Sequence, residues 1–169
     1  MSDGADGDGD AGGDRGSEEA PIHIEEPLNV EDASRVIERH GYLSWLGISL
    51  EELEEGRAVM TLPYQEKLTN WVTGTIHGGV TATLVDTCSA FALRTCLEDP
   101  MNTTLATTDL STKYVRPATG DLHVEAEVIR AGTSTGVTRV TVLSTDPDGE
   151  TKEVAIGATT YRLFTDSSL

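Results

Sequence analysis

Apolar positions recur at helical spacing from residue 78 to about residue 97. Val80, Leu84, Cys88 and Phe91 form one stripe, Val85, Ala92 and Cys96 lie beside it, and Ala82 and Ala90 fill much of the rest. A helix that is apolar nearly all round is a buried helix, and Asp99-Pro100 predicts its end. Upstream, Asn29 is placed to cap a short helix with Asp32 in its first turn and Ala33, Val36 and Ile37 on one face, and Gly41 marks its end. The run from Trp45 to Leu50 is apolar and β-prone, and Arg57 to Leu62 alternates between the turn residue Gly56 and Pro63. After the buried helix the period falls to two. Strands are expected over Thr103–Val115, over Leu122–Ile129, over Val137–Ser144 and over Val154–Phe164, with turn chemistry at RPATGD, AGTSTG and DPDGE between them.

This order is a helix, two strands, one buried helix and four strands. Consecutive strands joined by short turns predict an antiparallel sheet, and nothing else in the chain can cover the long apolar helix. The expected class is α+β, with the sheet wrapped around that helix. Residues 1–27 break the pattern. They are rich in Gly and Asp and too poor in apolar side chains to offset the cost of ordering, so a disordered acidic tail is expected there, followed by one domain over 28–169.

Charge narrows the function classes. The formal net charge is −17; the first 27 residues hold nine acids and one arginine, so they carry −8 of it and the remainder carries −9. Such an excess argues against nucleic acid and against an anionic membrane surface as partners. No apolar run is long enough to cross a bilayer and no basic-then-apolar leader is present, so a soluble cytoplasmic protein is expected. Scarce lysine with abundant Asp, Glu and Thr resembles proteins of salt-loving archaea, in which concentrated salt screens self-repulsion. Cys88 and Cys96 lie eight residues apart with no His-rich cluster nearby, which predicts two buried thiols and no metal site.

Two features within the helix carry chemistry. His77-Gly78-Gly79 opens it, and a helix start offers unpaired N–H groups and a positive partial charge that suit an oxyanion. Asp86 places a carboxylate in a segment built for burial, which is costly unless it is hydrogen-bonded; Thr83, Thr87 and Ser89 are possible partners, and a solvent-facing position is the alternative. His77 and Asp86 are nine residues apart, on opposite sides of a helix. They are no same-face acid–base pair within one chain, so any site using both draws on a second subunit or uses His77 only to shape the turn.

HGGVTATLVD and the later TTDLSTKYVRPATGD resemble the hotdog-fold thioesterases of the phenylacetic-acid-degradation (PaaI-like) type over roughly residues 40–165. The resemblance implies a hotdog fold and an acyl-CoA thioesterase acting on a small or aromatic acyl thioester, without a cofactor or metal, assembled as a homodimer or homotetramer with sites at the subunit interface. It makes Asp86 the general base or nucleophile and Gly78, with Gly79, the carbonyl-polarising amide. His77 organises the turn, Asn70 holds substrate or water, and Thr107 stands where some members carry serine near the attacking water. Lys113 and Arg116 are the candidates for the CoA phosphates, with Arg94, Arg130 and Arg139 as further cations; Trp71, Phe91, Met101 and Tyr114 are candidates for an acyl pocket. A non-catalytic acyl-CoA-binding hotdog domain and a hotdog dehydratase or hydratase are the alternative readings.

Overall fold

The structure, a computed structural model, describes residues 28–71 and 74–164. The expected acidic tail lies outside the described residues. Helix α1 (Val30–Arg39) begins where Asn29 accepts a hydrogen bond from the Asp32 N–H at 2.9 Å. Helix α1 ends at Arg39 with His40 as its C-cap, at the expected Gly41, but Gly41 also starts a second short helix, α2 (Gly41–Leu46), capped by the His40 ring. Gly47 closes α2 at φ 81°, a left-handed conformation that only glycine adopts without strain. The first strand therefore begins later than Trp45. The strands are β1 (Ser49–Glu54), β2 (Arg57–Leu62), β3 (Thr104–Tyr114), β4 (Asp121–Ala131), β5 (Thr135–Thr145) and β6 (Thr151–Phe164). The long helix α3 runs from Gly78 to Arg94.

All six strands join one antiparallel sheet in the order β1-β2-β4-β5-β6-β3. Helix α3 lies across its concave face and touches every strand. Leu84, Val85, Cys88, Phe91 and Ala92 meet Met60, Leu62, Leu122, Val124, Ala126, Val140, Val142 and Ala155 in one buried cluster. The sheet thus supplies alternate side chains of four strands to the buried side of the helix, while Thr83, Asp86, Thr87 and Arg94 lie on its partly exposed side. Burial of that helix rests on apolar area, each fully buried Leu or Val being worth about 1.5–3 kcal/mol. This is the wrapped sheet that the order of elements predicts and the hotdog fold that the resemblance implies.

Close packing of α3 on the sheet dictates two small residues. A Cβ on Gly157 of β6 would stand 2.6 Å from Val85 Cγ1, and one on Gly136 of β5 would stand 2.3 Å from Leu93 Cδ2. The buried hydroxyls of Thr138 and Ser89 satisfy each other at 2.8 Å between sheet and helix. Strand β3 is a sheet edge, paired only with β6, and largely exposed. A bulge interrupts that pairing: Thr107 faces Tyr161 and Asp109 faces Thr160, which leaves Thr108 extra. No helix among the described residues is long and apolar enough to cross a membrane.

Candidate active site

The start of α3 is built by a loop that folds back on itself. The Asn70 N–H donates to Thr75 O at 2.7 Å and the Asn70 amide to Thr75 Oγ1 at 3.1 Å; the His77 N–H donates to Leu68 O at 2.8 Å. The loop so fixed presents His77 as the N-cap. Its Nδ1 accepts the Gly79 N–H at 2.9 Å. This uses one of the two glycine amides expected to polarise a carbonyl, so Gly79 is occupied with capping. The Gly78 N–H finds no acceptor among the described residues.

Gly78, Asn70, Thr75, Tyr114, Arg116 and Val154 line an open groove of about 530 Å³ at this end of the helix. Tyr114 leans over the helix start and donates its hydroxyl proton to Gly78 O at 2.6 Å. A Cβ at Gly78 would stand 3.2 Å from the Tyr114 ring, so the absence of a side chain is what admits the ring so close to the helix start.

Asp86 stands elsewhere. Eight residues along a helix at 1.5 Å each put it roughly 12 Å from Gly78 along the axis. It is half-buried, beside the β3 edge. Thr107 Oγ1 donates to Asp86 Oδ1 at 3.0 Å. The Tyr161 hydroxyl lies 2.9 Å from the same Oδ1 and 2.6 Å from the Asp86 main-chain oxygen. Oδ2 receives no donor among the described residues. Burial, and then the negative charge of Asp86, raise the Tyr161 phenol above its ordinary range and keep it protonated. Tyr161 was not among the residues singled out by sequence. The signal that pointed to it is a tyrosine on the buried side of an alternating strand, whose hydroxyl has to find a partner.

The other candidates sort by place. Arg116 reaches the groove, where its guanidinium also donates to Glu153 O at 2.7 Å. Lys113 does not reach the groove. It precedes Tyr114 on β3, points to the opposite face, and shares a shallow depression with Ile129, Arg139 and Ile156. Arg139 pairs with Glu127 at 2.7 Å on that outer surface. Arg94 is committed to the carbonyls of Pro100 and Thr103 below the helix end. Trp71 projects fully into solvent and does not line the groove, Phe91 belongs to the core, and Met101 lies at the other end of α3; only Tyr114 of the expected acyl-pocket residues is at the groove. Cys88 is buried, with burial pushing its thiol up to about 12, and Cys96 is half-buried. No group of three or more metal-ligating side chains occurs among the described residues.

A fold of one helix clasped by a six-stranded antiparallel sheet defines a hotdog protein. The sequence comparisons agree: the chain belongs to the thioesterase superfamily, whose sequence model matches residues 73–150. It is 40% identical over 147 residues to a Halobacterium salinarum protein named "Putative esterase", an alignment that covers 82% of this chain and 97% of that one. It is 34% identical over 95 residues to acyl-coenzyme A thioesterase 13 of Homo sapiens, covering 55% of this chain and 65% of the human one. The crystal structure of a thioesterase from Haemophilus influenzae superposes with a TM-score of 0.73 at 19% identity, covering 86% of this chain and 99% of that one, a likeness of fold.

Proposed function

We propose that the protein hydrolyses an acyl-CoA thioester of the PaaI-like kind, with a small or aromatic acyl group, and that Asp86 is the base. The observation that carries this reading is the Asp86 carboxylate, tied at Oδ1 by Thr107 and Tyr161 with Oδ2 left without a donor among the described residues. Oδ2 is then available to accept a proton from water. As that water attacks the carbonyl carbon, the C–O bond forms, the proton passes to Oδ2, and the developing oxyanion receives the Gly78 N–H. Collapse of the tetrahedral intermediate breaks the C–S bond. The proton held by Asp86 then goes to the departing thiolate, giving the free acid and CoA.

The roughly 12 Å between Gly78 and Asp86 along one helix is too far for one carbonyl. The reading therefore includes a homodimer. The exposed β3 edge, beside which Asp86 stands, is the seam, and the partner's helix start brings its glycine amide to this Asp86. Asn70 at the groove holds the loop that shapes that amide, His77 caps it through Gly79, and Arg116 is the groove's cation for a CoA phosphate. Tetramer assembly, a cytoplasmic location and a halophilic source belong to the same proposal; the acidity of the chain and the Halobacterium salinarum relative support the last.

The test is release of free CoA thiol in concentrated KCl from butyryl-, hexanoyl-, benzoyl- and phenylacetyl-CoA. Asp86→Asn is expected to lower kcat by about 10²–10⁴-fold, as loss of a general base does. Thiol release unaffected by Asp86→Asn removes Asp86 from the mechanism. Oxygen-18 from labelled water appearing in the Asp86 carboxylate after a single turnover would replace the base by a nucleophile that forms an anhydride.

A further inference from the structure

We infer that Tyr161 is a positioning residue for the hydrolysis: its hydroxyl, acting with that of Thr107, locks the Asp86 side chain so that Oδ2 alone is presented to the reacting water. The inference rests on the reading of Asp86 as the base.

The geometry is specific. Thr107 and Tyr161 are register partners across β3 and β6, so one rung of the sheet delivers two hydroxyls to one carboxylate oxygen. The Tyr161 ring is 2% exposed and is held by Leu93 and Leu163, with Ala90, Leu97, Leu105 and Val128 around it. It has no freedom to follow a moving carboxylate; the carboxylate has to come to it. The single phenolic proton is shared between the Asp86 main-chain oxygen at 2.6 Å and Oδ1 at 2.9 Å. That three-centre contact ties the backbone and side chain of Asp86 to one fixed point, which restrains rotation about χ1. A half-buried aspartate without that clamp would divide its time among rotamers, and each unproductive one subtracts from the rate. Because the phenol is kept protonated, Tyr161 serves as a donor and does not itself accept the water's proton.

The experiment uses the full chain and the fastest acyl-CoA of the panel above. Tyr161→Phe removes one oxygen from a packed ring. It is expected to lower kcat about tenfold or more, the worth of a hydrogen bond to a charged group, with KM within twofold of wild type. In the Asp86→Asn background the same change is expected to cost nothing further, because Tyr161 acts through the carboxylate. 4-Aminophenylalanine at position 161 keeps a para donor and is expected to restore most of kcat. Wild-type kcat in a folded Tyr161→Phe, or an equal loss in the presence and absence of the Asp86 carboxylate, overturns the inference. Should Tyr161→Phe fail to fold, the 4-aminophenylalanine protein decides: near-wild-type kcat supports it and a tenfold loss overturns it. If Asp86→Asn is itself fully active, the base assignment fails first, and the two failures are told apart.

Discussion

Tyr114 and Gly78 hold each other: the hydroxyl of one donates to the carbonyl of the other at 2.6 Å, and the ring occupies the space beside the missing Cβ. Gly78→Ala would place a methyl 3.2 Å from that ring and push it aside by a few tenths of an ångström. We expect Gly78→Ala to lose activity well beyond its loss of stability. Tyr114→Ala opens the space, so the double variant is expected to lose less than the two single changes added together. A double-mutant cycle in kcat/KM measures the coupling; additive losses would mean that the two do not constrain each other.

Gly157→Ala tests the fit of helix on sheet. The new methyl meets Val85 Cγ1 at 2.6 Å and Ser111 O at 3.1 Å, and only the valine can yield. Overpacking of this kind costs about 1–3 kcal/mol, read from urea denaturation. Val85→Ala in the same chain is expected to return part of that loss.

Alkaline pH is expected to unfold the protein through its buried acids. Burial, the largest cause, pushes the Cys88 thiol up to about 12 from 9.0, and the Tyr161 phenol is raised by burial and by Asp86. Between those limits the unfolded chain has released a proton that the folded chain retains, so stability falls as pH rises. The contribution of Cys88 is complete below about pH 9 and is lost progressively toward pH 12, with a slope of about 1.36 kcal/mol per pH unit. Denaturation curves from pH 8 to 11 measure this, and Cys88→Ala is expected to flatten them.

Salt is expected to stabilise the fold. At a net charge of −17 the chain repels itself, and screening shortens from about 10 Å at 0.1 M salt to about 3 Å at 1 M. Thermal melts in rising KCl are expected to show a rising Tm. A falling Tm would mean that the surface ion pairs, such as Arg57 with Glu52 and Glu125, outweigh that repulsion.

The central helix and the four strands after it were legible because their periods are clean: an all-round apolar run, then strict alternation as in β4. The N-terminal part was less so. The helix end at Gly41 holds, but the apolar Trp45–Leu50 read as a strand, whereas the His40 ring caps a new turn and Gly47 ends it, so local capping outweighs the β-prone composition. Strand β1 hides behind its acids, and its register slips between Leu50 and Glu52. The site was legible in part. Asp86 and Gly78 stood out as a carboxylate in a buried helix and a glycine at its start, Thr107 was named by resemblance, and the structure brings Asp86 and Thr107 into contact. Tyr161 lies 75 positions from Asp86 in sequence, and only the wrapping of β6 under the helix joins them. The expected pair of glycine amides became one because His77 spends its Nδ1 on Gly79, a side-chain choice that no spacing reveals.

The extra residue at Thr108 has a consequence for how this edge can change length. Side chains alternate along a regular strand, so two positions seven apart face opposite ways. Thr107 and Tyr114 nevertheless both reach the helix, because the unpaired residue between them resets the alternation. Excising Thr108 itself would leave both flanking stretches on their present β6 partners, whereas a codon inserted or lost in the paired run from Asp109 to Tyr114 turns one stretch over.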